Sequence, residues 1–418
     1  MRINNSGSYE YCRWKTHDWQ TQAPNKHNIA NQTPSEYFQS AMSTIRWDLL
    51  QGKSLPECKD CYIMDANHKV SGRQRQLLKS GIQDSYFVKT LASSPMLNDF
   101  VHSENNRGHT DRRPVDWQID LGNYCNSACV FCNAESSSRL ATELLKIGAI
   151  DQLPPPNWCD DPVLLEKFID DLCSTDNLRY LHFLGGETVI TPAFQTILQE
   201  LTQRLDVSKI SIGFTTNLTV WSDPVVELLK QFGEVNLGMS IESITPVNDY
   251  VRWPSKISQV QQYLDRWVAL AKQQQWLIQL RVTPTCLTIQ DLGTVYDYAW
   301  QHEIAVESCN FLHEPAHLRI SVLPKQQRQA IVDRLQTWLD QHPVDELELL
   351  INTRNPDHAR VQIYQDLQSY ILYLDQTPDE SHRLPDLVKY LKLLENNRKN
   401  SILEYLPEYE TIFRSAGY

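Results

Sequence analysis

Apolar positions along the chain change their rhythm twice. Over the first hundred or so residues Gln, Asn, Lys and Ser dominate, and helical periodicity is confined to the stretch SEYFQSAMSTIRWDLLQGK. From Val115 onward, short β-branched or aromatic runs alternate with amphipathic stretches whose apolar residues recur at three- and four-residue spacing. The runs are VDWQIDL (115–121), LRYLHFL (178–184), KISIGFT (209–215), VNLGMSI (235–241), LIQLRVT (277–283) and VESCNFL (306–312). Between them lie helical patterns such as PVLLEKFIDDLC, PAFQTILQELTQRL and SQVQQYLDRWVALAKQ. Strands alternating with helices predict repeated βα units on a parallel sheet, and six units suit an open, partial barrel better than a closed eight-stranded one. After Pro324 the strand signal stops and helical patterns run to the end. The expected organisation is α/β: a loop-rich N-terminal unit over 1–112, a partial (β/α)6 TIM-like barrel over 113–322, and a helical C-terminal extension over 323–418.

Charge narrows the partners. With 39 basic and 51 acidic side chains the chain carries a formal net charge of −12, which argues against a surface built to neutralise nucleic-acid phosphates. No run of eighteen apolar residues and no apolar stretch near the start is present, so a soluble, cytoplasmic protein without a membrane partner is expected. Of ten cysteines, six fall in two local groups, which in a reducing compartment points to metal. Cys159, Cys173, Cys286 and Cys309 stand alone and are expected to be small buried hydrophobes.

The strongest motif is Cys125-Asn-Ser-Ala-Cys129-Val-Phe-Cys132, directly after the first strand of the alternating region. Three thiolates on one short loop can hold three irons of a cubane cluster, whereas a structural cluster normally takes four cysteines, so the fourth iron is open to a ligand. Zinc could also take three cysteines and a histidine, but zinc loops usually come as two separated pairs, and the spacing favours a cluster.

This motif resembles the radical S-adenosylmethionine (SAM) superfamily, with Phe131 at the family's aromatic position. The resemblance implies a [4Fe–4S] cluster on Cys125, Cys129 and Cys132, with the amino and carboxylate groups of SAM on its unique iron. It further implies reductive cleavage of SAM to a 5′-deoxyadenosyl radical that takes a hydrogen from a substrate. Four more segments sit at strand ends where the family carries SAM contacts. They include Gly185-Gly186-Glu187, whose acid would meet the SAM amino group, Thr216-Asn217 in Thr215-Thr216-Asn217, and Ser240-Ile241-Glu242; Asp249-x-x-Arg252 resembles a segment that follows the fourth strand in peptide-modifying members, which implies a substrate role. Ser240 and Glu242 alternate on one strand and share a face. Asp249 and Arg252 could equally pair with each other, and Arg281 on the fifth strand could reach the SAM carboxylate or sit in an ordinary ion pair.

Cys58-Lys-Asp-Cys61, with Cys12 upstream and Ser71-Gly72-Arg73 after it, resembles the twitch module of radical SAM proteins, which implies a second, auxiliary [4Fe–4S] cluster on Cys12, Cys58 and Cys61. Tyr62-Ile63-Met64-Asp65 departs from the acid and glycine expected after the second cysteine, which leaves the fourth ligand open among Cys286, Cys309, His17, a bare iron, or zinc in place of the cluster. Auxiliary-cluster members commonly modify ribosomally made precursor peptides. That kinship implies such a peptide as substrate, a separate leader-recognition protein and an external electron donor; a splicease excising tyramine is the most specific form. A radical SAM enzyme acting on a small molecule, and a non-catalytic zinc-stabilised scaffold, are the rival expectations. The sequence singles out no general acid or base.

Overall fold

The computed structural model describes residues 1–12, 26–66, 96–306, 311–344 and 356–418. Eight strands form one sheet in the order β2-β1-β3-β4-β5-β6-β7-β8: β1 Arg2–Ile3, β2 Tyr9–Glu10, β3 Asp116–Asp120, β4 Tyr180–Leu184, β5 Ser211–Thr216, β6 Glu234–Ser240, β7 Leu277–Arg281 and β8 Ala305–Val306. β1 and β2 run antiparallel, while β1–β3, β5–β6, β6–β7 and β7–β8 are parallel. The fold is therefore α/β with a mostly parallel sheet. All six expected strand regions carry strands, and the sixth begins at β8 with residues 307–310 outside the described residues. Two strands of two residues each, β1 and β2, were not expected.

Intra-chain contacts divide the chain into two compact units. The first comprises Met1–Gly122, Pro156–His182 and Gln203–Leu205; the second, Asn123–Pro155, Phe183–Thr202 and Asp206–Tyr418. In the first, Trp117 of β3, Trp158 and Phe168 meet edge to face at 5.1–5.5 Å. Beside them Arg2 pairs with Asp120, and Ser35 and Arg113 bond Asp171. Helices α1 Ser43–Leu50, α2 Lys59–Ala66, α3 Met96–Asn105 and α5 Pro162–Cys173 belong to this unit.

In the second unit, α4 Ser138–Lys146 follows the cysteine loop, α6 Pro192–Arg204 follows β4, α7 Asp223–Leu229 follows β5, and α8 Val247–Val251 and α9 Ile257–Gln274 follow β6. α9 shows why these segments coil: Val260, Leu264, Trp267, Val268 and Ala271 repeat at three and four residues and are all buried, and the helix ends on Gln275 in the left-handed region (φ 57°). Along β6 Val235, Leu237 and Met239 face the helices with no exposure. Phe183, Phe194, Phe214 and Trp267 continue that layer, ring to ring at 5.0–6.0 Å. Each such side chain, fully buried, contributes on the order of 1.5–3 kcal/mol. The opposite face of the same strands carries Thr215, Gly238, Ser240 and Arg281, neighbours by register. One face makes the core, and the other is left for polar chemistry.

The C-terminal stretch is helical as expected: α10 Leu292–His302 leads into α11 Lys325–Gln341, α12 Pro356–Gln376, α13 Leu384–Arg398 and α14 Glu410–Ser415. No helix among the described residues is long and apolar enough to cross a membrane.

Candidate functional site

The cysteine loop is built by its neighbours. Ser137 caps α4 by accepting from the Leu140 N–H, and its own hydroxyl donates 2.6 Å to the Ser127 carbonyl inside the loop. The Ser138 hydroxyl accepts from the Cys125 N–H at 3.1 Å, and the Cys132 N–H closes a turn on the Cys129 carbonyl. A helix start and two serines thus fix the backbone that carries three thiols.

All three thiols are free, Cys129 buried and Cys125 and Cys132 half-buried. Burial and then the Cys129 thiol push Cys125 up to about 12, and burial raises Cys129 and Cys132 as well. Three thiols this close and this poorly solvated make no sense as free thiolates; bound iron would supply the positive charge that deprotonated ligands need. Among the described residues no set of three or more His, Cys, Asp or Glu closes around a single metal ion. A cubane cluster asks for another arrangement, in which each thiolate takes its own iron corner. The donor set fits that group, with Phe131 half-buried on the same loop.

Two of the expected segments converge on this loop. Gly185 and Gly186 have positive φ (105° and 49°), and a Cβ at Gly186 would stand 2.1 Å from the Tyr124 carbonyl, to which the Glu187 N–H donates at 2.8 Å. The glycine pair therefore lets the end of β4 lie against the residue preceding Cys125. Glu187 is fully buried and accepts from the Val189 N–H, the Thr216 hydroxyl at 2.9 Å and the Asn217 N–H. Burial pushes its carboxyl up to about 6, against the pull of those hydrogen bonds. Three donors leave about one acceptor position of a carboxylate for a ligand ammonium. Asn217 in turn donates 2.9 Å to Asn126 and 3.1 Å to Ser127, and its amide oxygen accepts from Thr219. The ends of β4 and β5 and the cysteine loop are one hydrogen-bonded network.

Arg252 and Glu242 form the charged part of the site. Their Nη1–Oε2 distance is 2.6 Å, with side chains 7 % and 2 % exposed. Burial works against the guanidinium charge, but Glu242 and then the thiols of Cys129 and Cys125 outweigh it and raise the Arg252 pKa. The alternative pairing of Arg252 with Asp249 is not what forms, because Asp249 instead accepts from the Ile257 N–H at the start of α9 and pairs with Lys256 at 3.4 Å. Arg281 lies across Gly238, where a Cβ would stand 2.3 Å from its Nε, and its register partner is Ser240. Ser240, at the end of β6, is half-buried.

Cys12, Cys58 and Cys61 lie in the first unit, all half-buried, with Cys58 closing a 3₁₀ turn and Cys61 in α2. His17, Cys309 and Ser71-Gly72-Arg73 fall outside the described residues. Cys159 and Cys286 are buried as expected of isolated cysteines, whereas Cys173, at the end of α5, is only half-buried. Sequence reasoning missed Asn126, Ser127, Ser137 and Thr219, small polar residues in or beside the motifs, and Glu143, Tyr390 and Arg398, for which no local pattern exists.

Residues 119–274, less than half of the chain, match the family model described as the Radical SAM superfamily. Among solved structures the chain is similar to Streptococcus suis SuiB bound to S-adenosylmethionine, at 14 % identity over 72 % of this chain and 63 % of that one, TM-score 0.35. The same protein bound to its precursor peptide SuiA gives 15 %, 64 %, 58 % and 0.36. Native anSMEcpe with bound AdoMet gives 15 %, 55 %, 61 % and 0.39. The chain thus spans less than two thirds of each, and likenesses this shallow carry nothing further. The matched stretch holds the cysteine loop, the glycine pair and the buried Arg252–Glu242 pair.

Proposed function

We propose that this chain is a radical SAM enzyme whose cluster sits on Cys125, Cys129 and Cys132 and whose substrate is a ribosomally made precursor peptide. One observation carries the cofactor assignment: three free thiols share a single loop that hydrogen bonds tie to the end of β4 at Tyr124 and to the end of β5 at Asn126 and Ser127. When bound, the cluster and SAM together supply a 5′-deoxyadenosyl radical on reduction, and the protein's work is placement and exclusion of water. Phe131 lines the loop; Gly185, Gly186 and Glu187 offer a backbone edge and one open carboxylate position for the SAM ammonium. Thr216, Asn217, Ser240 and Glu242 frame the strand ends, and the Arg252 and Arg281 guanidiniums supply positive charge for a carboxylate. Cys12, Cys58 and Cys61 are assigned to a second [4Fe–4S] cluster on the resemblance of Cys58-Lys-Asp-Cys61 and its surroundings to the twitch module. A leader-recognition protein and an external electron donor complete the proposed system; excision of tyramine is its most specific form.

Anaerobic reconstitution of the full chain with iron and sulfide tests this. About eight irons per chain and a brown chromophore are expected from two four-iron clusters, with 5′-deoxyadenosine appearing on reduction in the presence of SAM. Four irons would remove the N-terminal cluster; zinc alone, with no visible absorption, would remove the enzyme reading in favour of a scaffold.

Arg281 gives a narrower test. Gly238 is not at positive φ, so its backbone tolerates alanine, but the new Cβ meets the Arg281 side chain. Gly238→Ala is expected to push the guanidinium aside and weaken SAM binding by roughly 10–100-fold, the worth of one charge-assisted hydrogen bond. Isothermal titration with SAM on the reconstituted protein reads it. Unchanged affinity would strip Arg281 of its proposed role.

A further inference from the structure

The backbone on either side of Cys129 is held from two directions. The Ala128 N–H donates 2.7 Å to the Trp253 carbonyl, and the Val130 N–H donates 2.8 Å to the Val251 carbonyl. The carbonyls of the same two residues accept from α13: Arg398 Nη2 donates 2.7 Å to Ala128 O, and the Tyr390 hydroxyl donates 2.9 Å to Val130 O. Every backbone polar group flanking Cys129 on these residues is therefore in use. Buried backbone groups must find partners, yet nothing requires that those partners come from a helix some 260 residues downstream.

Arg398 is itself immobilised. It grips Glu143 of α4 through Nε–Oε1 at 2.9 Å and Nη2–Oε2 at 2.7 Å, with the two side chains 2 % and 4 % exposed, and its guanidinium lies 5.0 Å over the Trp253 ring. One turn back on α13, Glu395 accepts from the Tyr250 hydroxyl at 2.9 Å. The helix thus clasps the cysteine loop, the helix after it and the segment bearing Arg252. A metal ligand held in its binding attitude before the metal arrives spends no binding energy on being ordered, and outer-shell partners of this kind tune affinity.

We propose that Tyr390 and Arg398 are positioning residues for the iron–sulfur site, fixing Cys129 through the Ala128 and Val130 carbonyls, so that the C-terminal helix is a working part of the cofactor site. This rests on the reading of Cys125, Cys129 and Cys132 as cluster ligands. Three variants of the full chain test it. Tyr390→Phe removes one hydroxyl; Arg398→Lys keeps the charge and one donor; the double change Glu143→Gln with Arg398→Met removes the ion pair without stranding a charge. After anaerobic reconstitution, Tyr390→Phe and the double variant are expected to lose iron to a ferrous chelator roughly 10–100-fold faster than wild type. The electron paramagnetic resonance spectrum of the dithionite-reduced cluster should change in both variants at temperatures well below the apoprotein melt, which Tyr390→Phe lowers only slightly. Arg398→Lys should fall between. Wild-type chelator rates and spectra in both variants would overturn the proposal, as would cluster loss that merely follows a lowered apoprotein melt. A wild-type chain that takes up no cluster would overturn the underlying reading instead, and is seen before any variant is made.

Discussion

Replacing Cys129 by alanine is expected to reduce 5′-deoxyadenosine formation to the level of a protein-free control. The middle cysteine is the most deeply buried of the three, and its neighbours on both sides are bonded into the surrounding structure. Another donor cannot swing into its place, since a cluster corner left to water in this loop lacks the thiolate charge that binds it. Liquid chromatography of anaerobic reactions containing SAM and dithionite measures the nucleoside, and iron analysis of the same sample reports the cluster. Cys159→Ala serves as the control, because that buried thiol donates to the Leu121 carbonyl at 3.2 Å and lies outside the loop, so iron content should be unaffected. Undiminished nucleoside in Cys129→Ala would end the assignment of the trio.

Local chemistry was legible in the sequence, and long-range chemistry was not. The cysteine loop, the glycine pair and the strand ends could be read because spacing within ten residues determines them, and the alternation of Val235, Leu237 and Met239 announces a strand with two different faces. β1 could not be read: two residues hold no period, and what places them is their pairing with Gln118 and Ile119 and the bond of Arg2 to Asp120. The partner of Arg252 could not be read for a related reason. Asp249 stands three residues away, where helical spacing offers a pair, but the start of α9 needs an acceptor for the Ile257 N–H and takes Asp249 for that purpose. Glu242, ten residues back at the end of β6, is left to meet the arginine. Tyr390 and Arg398 lie beyond any motif window, and their sequence context, LVKYLKLLENNRKN, reads only as an amphipathic helix.

That pairing sets the second large effect. Arg252→Met would leave the Glu242 carboxylate buried without its cation, a change that costs about 3–5 kcal/mol. A typical domain has only about 5–15 kcal/mol in all, so the loss should be plain in a denaturant titration. Because the chain folds as two compact units, unfolding need not be a single transition, and hydrogen exchange across residues 240–255 localises the effect. The double change Glu242→Gln with Arg252→Met removes both charges and is expected to recover more than half of the loss. The same pair of variants separates the ion pair's structural work from its electrostatic work. Arg252 is the larger of the two cationic influences on Cys129, the other being Arg398, and it acts on Cys125 as well. In the single variant Arg398 alone would offset Glu242, and the midpoint potential of a reduced cluster should move to more negative values. In the double variant the negative neighbour is gone too, and the potential should return toward that of wild type. A potential that stays put in Arg252→Met while protection is lost across 240–255 would mean that the guanidinium holds the fold together and leaves the cluster untouched.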